Sequence, residues 1–163
     1  MRPKLMTLLE WLAKASAVLA GLLLTGITLM TCVSLVGRNT TGWTLVGDFE
    51  LTAYAAGAAI ALFLPICQFH RANIIVDFFT VKARPATRQA LDRLGAALLA
   101  AAMALMAWRS ALGLANAWST QTGSMMLGVP DWWVYVCIVP GLALTALIAT
   151  VQALLGFGDE PQR

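Results

Sequence analysis

Residues 51–69 read LTAYAAGAAIALFLPICQF and contain no charged side chain. Apolar and polar residues do not alternate along this run, as they would in a strand of a membrane β-barrel. A helix needs about 20 apolar residues to cross the roughly 30 Å of hydrocarbon in a bilayer. The run therefore predicts a membrane-spanning helix, and the fold depends on how many similar runs surround it.

Three other runs have the same character, and the predicted spans are residues 15–37, 51–69, 94–118 and 132–155. Only the third contains a charge, Arg109. Of the 163 residues, 60% are hydrophobic and 12% are charged, whereas soluble domains average about 45–50% and about 25%. The first run is too long for a signal-peptide core, and its AKASA segment precedes it, so it is expected to be retained. We predict an all-α integral membrane protein: one domain, residues 1–163, with four transmembrane helices.

The segment FHRANIIVD, residues 69–77, follows the second span and contains the only histidine, His70. It can be read as a reactive site at the membrane surface or as the point where a helix leaves the membrane. Apolar and charged residues mixed over about 72–84 favour the second reading, with a short amphipathic segment lying in the interface. Pro85 is expected to end this segment, and the third long helix follows it.

Lys and Arg residues are distributed unevenly between the two sides of the predicted topology. Of eleven in the chain, all but Arg38 and Arg109 lie before span one, between spans two and three, or in the C-terminal tail. The positive-inside rule then places both termini and the loop between spans two and three on the cytoplasmic side of the membrane. These cations match anionic lipid headgroups, so no nucleic-acid partner is expected. Aromatic residues predicted as interfacial anchors are Trp11, Trp43, Trp118, Trp132 and Trp133.

Catalytic and ion-binding chemistry has little support in the sequence. All eight acidic residues fall at span ends, in loops or in tails, whereas a proton-coupled carrier needs a carboxylate inside the membrane. A single histidine does not provide the pair that normally holds a membrane haem. The three cysteines lie within spans and form no metal-binding or disulfide pattern. We expect no catalytic residue, no metal and no cofactor.

Four charged residues are candidates for contacts at the outer face or with a partner: Arg38, Asp48, Glu50 and Arg109. Asp48 is also placed to cap span two, as Asp131 is for span four. Arg109 lies nine residues before Trp118, about 13 Å deeper along a helix. Three interpretations remain open for it: snorkelling to the outer surface, pairing with Asp48 or Glu50, and pairing with a carboxylate of another subunit.

Small residues recur at four-residue spacing on two spans, which lets helix backbones approach closely in lipid. The candidate packing positions are Ala53, Gly57 and Ala61 on span two and Ala96, Ala100 and Ala104 on span three.

A resemblance emerges from short motifs between about Gly37 and Gly141. In order they are Gly37-Arg38, GDFEL at 47–51, LPICQ at 64–68, NIIVD at 73–77, and Pro130 with Trp132 and Trp133. Together they resemble the small membrane subunit, the DctQ-like Q component, of tripartite ATP-independent periplasmic (TRAP) transporters. Asn73 stands where that family more often has His, and with Asp77 it forms a candidate structural motif at the interface.

The resemblance implies a non-catalytic scaffold for a large elevator-type membrane subunit, which carries the substrate and sodium sites. It also implies a periplasmic binding protein that captures an organic acid, and a possible docking role for this chain. Two alternatives are a self-sufficient four-helix exporter that forms homodimers and the membrane anchor of a respiratory complex. The first needs a buried acid and the second needs a haem or quinone site.

Overall fold

The computed structural model describes residues 2–43, 45–70 and 85–155. They form four helices: α1 (Arg2–Thr40), α2 (Asp48–Phe69), α3 (Pro85–Thr120) and α4 (Trp132–Leu155). All four are long and apolar enough to cross a membrane, which confirms the predicted fold class. The predicted interfacial segment at about 72–84, with Asn73 and Asp77, lies outside the described residues.

Two of the helices are much longer than the predicted spans. α1 has 39 residues and begins well before residue 15. Its early turns are held by packing, because Leu9 and Ala13 are buried in a cluster with Ile148 of α4. α3 has 36 residues and begins at Pro85, a position at which proline is favoured because its missing N–H has no partner in the first turn.

The helices are arranged as an open row in the order α1, α2, α4, α3. Among the described residues, α3 packs against α4 and contacts neither α1 nor α2, while α1 packs mainly against α2. In the most apolar stretch of each helix, 11% of residues are buried in α1 and in α3, against 28% in α2 and 33% in α4. The central pair α2 and α4 therefore forms the core, and the end helices leave most of their apolar surface uncovered.

The central helices α2 and α4 run parallel, as three successive contacts demonstrate. These contacts pair Tyr54 with Asp131, Ala61 with Gly141, and Gln68 with Gln152. The closest approach is at Gly141, where an added Cβ would lie 2.4 Å from the backbone oxygen of Ala61. Towards the other end, the Gln68 side chain donates to Gln152 Oε1 at 2.7 Å, and Gln152 Nε2 donates to the Gln68 carbonyl at 3.1 Å. Both glutamines are buried.

The remaining interface of α4 is an antiparallel seam with α3. The buried or half-buried residues of α3 include a series at alternating spacings of four and three: Ala96, Ala100, Met103, Ala107, Ser110, Leu114 and Ala117. Leu99 and Gly113, beside this series, are half-buried as well. This heptad-like spacing is typical of helices that pack at a small left-handed crossing angle. On α4, the ring of Tyr135 lies against Gly113 of α3.

The predicted small-residue series are buried only in part within this chain. Ala61, Ala96 and Ala100 are buried, whereas Ala53 and Ala104 are exposed and a Cβ at Gly57 would meet nothing within 4 Å. A strict four-residue repeat drifts around the helix, because each turn holds only 3.6 residues. Close packing of the exposed members against a partner stays a prediction.

The end of the bundle that holds the connections 41–47 and 121–131 is called the outer end, following the predicted orientation. The second connection is fastened by a bridge between Gly123 and Pro130 and by a 2.9 Å hydrogen bond from the Ser124 N–H to the Val129 carbonyl. It therefore forms a defined loop, and α2 presents its first turns beside it.

Candidate partner-contact site

Asp48, the first residue of α2, connects that helix to α1. Its carboxylate accepts a 2.5 Å hydrogen bond from the Ser34 hydroxyl, and Ser34 is only 1% exposed. The predicted N-cap role of Asp48 is wrong, because Gly47 occupies the cap position in the left-handed conformation, with φ of 80°, and the cap has no side-chain bond. The carboxylate instead fixes the outer ends of α1 and α2 together.

Glu50 connects α2 to the loop between α3 and α4. Its carboxylate oxygens accept bonds from the Met126 N–H at 3.2 and 3.3 Å and from the Leu127 N–H at 3.4 Å. Two loop amides thus converge on one anion, a pattern resembling the anion-binding nests that successive N–H groups form. The Leu127 side chain meanwhile lies against Gly47, where an added Cβ would be 2.4 Å away.

Asp131, just before α4, connects to α2 through Tyr54, whose hydroxyl donates to Asp131 Oδ1 at 2.6 Å. The prediction that the Asp131 side chain caps α4 is therefore wrong, since the one hydrogen bond of its carboxylate within the described residues comes from the neighbouring helix. The role of Tyr54 was not predicted. No local signal identifies it, because its partner lies 77 residues away in the sequence.

The carboxylates of Asp48, Glu50 and Asp131 thus bind other parts of this chain. The surface around them is exposed. Side chains flanking the Glu50–Met126 contact are apolar and exposed: Val46 at 73%, Phe49 at 84%, Met125 at 100% and Met126 at 67%. Arg38, in the last turn of α1, is exposed and forms no ion pair within the described part of the chain. The exposed surface here is therefore mainly apolar, because Asp48 and Glu50 are already hydrogen-bonded within the chain.

The predicted anchors gather mainly at the outer end. The rings of Trp118 and Trp132 meet edge to face with centroids 4.9 Å apart, and Trp132 and Trp133 do so at 5.8 Å. Trp43 lies in the first connection, against Gly37, and Trp11 is exposed near the start of α1. Four of the five tryptophans thus lie at one end of the bundle, and their role as membrane-interface anchors stays a prediction.

Arg109 lies exposed on α3. Within the described residues, Arg109 makes no hydrogen bond and no ion pair. The ion pair among those residues is between Lys14 and Glu10, on α1. The hypothesis that Arg109 pairs with Asp48 or Glu50 is therefore wrong. The geometry explains why: α3 does not contact α2, and both carboxylates bind other groups.

An open cleft of about 410 Å³ lies between α3 and α4 near the outer end, lined by Ala111, Leu114, Ala115, Trp118, Trp132 and Val136. None of these side chains is charged, so the cleft offers no counter-ion for an organic acid. In the ranges that the structure describes, no cluster of His, Cys, Asp and Glu is arranged to hold a metal ion.

A family model described as "Tripartite ATP-independent periplasmic transporters, DctQ component" matches residues 27–158. The chain belongs to the DctQ family. The match extends beyond both ends of the predicted resemblance and covers the last third of α1 and all of α2, α3 and α4. No curated protein and no solved structure matches the chain.

The structure gives physical reasons for several motifs that suggested the DctQ family. Gly37 is required because a Cβ there would lie 2.8 Å from the Trp43 carbonyl oxygen. Gly47, in GDFEL, combines a positive φ with the close approach of Leu127. Gln68, which ends LPICQ, makes the buried contact with Gln152. In this DctQ-family chain these motif residues stabilise helix contacts.

Proposed function

We propose that this chain is the non-catalytic small permease subunit of a TRAP transporter and acts as a scaffold for the large membrane subunit. The observation that carries the proposal is the family match across residues 27–158. In the proposed complex, the large subunit binds substrate and sodium and moves as an elevator. A periplasmic binding protein delivers an organic acid, and the transport is sodium symport.

The open helix row supports a scaffold role. A self-sufficient carrier encloses its ion between helices, typically where discontinuous helices meet near the midplane. Here the four helices run without such a break between their described ends. The end helices α1 and α3 keep long apolar faces, which suit contacts with lipid and with another membrane protein.

The proposed location is the bacterial inner membrane with both termini in the cytoplasm. Support comes from the uneven distribution of Lys and Arg and from the tryptophans gathered at the outer end. A scaffold must stay fixed while its partner slides, and such anchors resist movement along the membrane normal. Docking of the binding protein would use the outer surface around Val46, Phe49 and Met125.

The proposal is tested by affinity purification of the tagged chain from cells that also produce the large membrane subunit and the binding protein. We expect the large subunit to co-purify in a fixed ratio. Liposomes containing both membrane subunits should take up an organic acid when the binding protein and a sodium gradient are present. Liposomes containing this chain alone should take up none.

Two results would contradict the proposal. Coupled flux through the chain alone would indicate the homodimeric exporter. A stable homo-oligomer with no large subunit attached would remove the scaffold role.

A further inference from the structure

Arg109 occupies a position that is costly for a chain on its own. It is exposed on the surface of α3, inside the candidate span Ala90–Thr120. Trp118 is nine residues, or about two and a half turns, further on. An arginine near the centre of a bilayer costs about 2.5–3.5 kcal/mol or more unless it is paired or reaches water.

The register between α3 and α4 fixes the depth of Arg109. Trp118 meets Trp132 and Gly113 meets Tyr135 across an antiparallel pair. Four residues further from the outer end than Gly113, Arg109 lies about level with Val139, which is four residues beyond Tyr135. That level adjoins Gly141, where α2 and α4 approach most closely. Arg109 is therefore near the middle of the bundle and far from either interface.

Arg109 also lies outside the seam with α4. The neighbouring seam residue Ser110 is about 100° away around the helix, and Arg109 itself is exposed. The face that carries Arg109 is otherwise apolar and exposed, with Leu98 at 63%, Leu105 at 64% and Leu112 at 50%. A single cation thus stands in the middle of an uncovered apolar face at the end of the helix row.

Charge complementarity limits which molecules can pack against the Arg109 face of α3, because Arg109 needs a counter-ion at its own depth. Lipid phosphates lie at the interface, more than two turns away from Arg109. A second copy of the chain offers no counter-ion, because its acidic residues all lie at span ends, in connections or in tails. A carboxylate at this depth has to come from a different membrane protein.

Resting on the proposed function, we propose that the Arg109 face of α3 is a docking surface for the large membrane subunit, through a transmembrane helix that carries a carboxylate at the level of Arg109. The apolar residues of the face pack against that helix, and Arg109 pairs with its acid. The pair removes both charges from contact with lipid, so each subunit is stable at this depth only beside the other. Asp and Arg form short, charge-assisted hydrogen bonds with defined geometry, which also sets the register of the two subunits.

The first test compares Arg109→Met with Arg93→Met when the chain is co-expressed with the large subunit. Arg93 is a matched control, since it is an exposed arginine on the same helix but lies sixteen residues, about 24 Å, nearer the start of α3. Arg109→Met should recover at least about tenfold less large subunit, because it leaves the partner's acid unpaired. Arg93→Met should recover as much as wild type, and Arg109→Lys should recover more than Arg109→Met.

When the same variants are expressed without the large subunit, Arg109→Met should not lower the amount of protein in the membrane. Removing a lipid-exposed charge favours insertion, so Arg109→Met alone should accumulate in membranes at least as well as wild type. Loss of the complex together with undiminished accumulation cannot come from misfolding.

A second measurement does not depend on any Arg109 variant. A photo-crosslinking residue placed at Leu105 or Leu112, one turn to either side of Arg109, should capture the large subunit. Mass spectrometry should map the crosslink to a transmembrane segment containing Asp or Glu. Capture of lipid only, or of a second copy of this chain, would overturn the inference.

Equal recovery of the large subunit with Arg109→Met and Arg93→Met would also overturn it. These failures differ from a failure of the proposed function. If the proposed function is wrong, the wild-type chain itself recovers no large subunit.

Discussion

The hydroxyl of Tyr54 lies 2.6 Å from Asp131 Oδ1 and joins the second turn of α2 to the start of α4. These helices are parallel neighbours that no short turn connects, so side-chain contacts must align their outer ends. Tyr54→Phe removes the donor and leaves a half-buried carboxylate unpaired. We expect a loss of about 1 kcal/mol in the free energy of unfolding, measured by thermal unfolding in detergent.

Tyr135→Phe is the matched control for this change. Tyr135 also lies near the outer end, but its hydroxyl forms no hydrogen bond within the described residues. Its loss should leave the unfolding transition unchanged. Equal effects of the two substitutions would argue against a specific role for the Tyr54–Asp131 bond.

Glu50 should control the order of the loop between α3 and α4. Its carboxylate accepts from the amides of Met126 and Leu127, and Glu50→Gln replaces the anion with a weaker, neutral acceptor. We expect faster hydrogen exchange at both amides. Glu10→Gln serves as the control, because Glu10 pairs with Lys14 within α1 and should not affect the loop.

The contact between Gly141 and Ala61 should be sensitive to a single methyl group. Gly141→Ala places a Cβ 2.4 Å from the Ala61 oxygen and 2.7 Å from its carbonyl carbon, so α2 and α4 must separate. We expect a loss of roughly 1–3 kcal/mol in the free energy of unfolding. Gly57→Ala adds the same methyl in open space and should be neutral or slightly stabilising, since alanine favours helix.

Gln68 and Gln152 should be energetically coupled. Each amide donates to the other residue, one to a side-chain oxygen and the other to a carbonyl. In a double-mutant cycle of Gln68→Leu and Gln152→Leu, the coupling energy should lie between about 0.6 and about 1.7 kcal/mol, the average and the maximum measured for hydrogen bonds between membrane helices. Strictly additive losses would mean that the pair contributes nothing beyond its separate contacts.

The positions of the four helices could be predicted from the sequence, whereas which helix packs against which could not. Charge-free runs such as 51–69 are required by the thickness of the bilayer, so length and composition suffice to find them. The order α1, α2, α4, α3 depends on which alanines face protein and which face lipid. Ala61 and Ala53 are the same residue type on the same helix, yet Ala61 is buried and Ala53 is exposed.

The polar contacts were harder to foresee for a different reason. Asp48 and Asp131 stand just where a capping residue is expected, so local rules assign them to their own helices. In the structure, donors from other helices, Ser34 and Tyr54, occupy these carboxylates. Such tertiary partners leave no mark on neighbouring sequence. Arg109 was visible in the sequence, but its lack of an internal partner required the structure.

An open row of helices has two ends, and this has a consequence for the lifetime of the protein in cells. A closed bundle hides its seams once it folds, whereas here α3 keeps one flank and one cation in the lipid until something covers them. Membrane quality-control proteases recognise such orphan surfaces. We therefore expect newly made chains to be degraded quickly when they outnumber their companion, so that turnover, rather than synthesis, sets the stoichiometry.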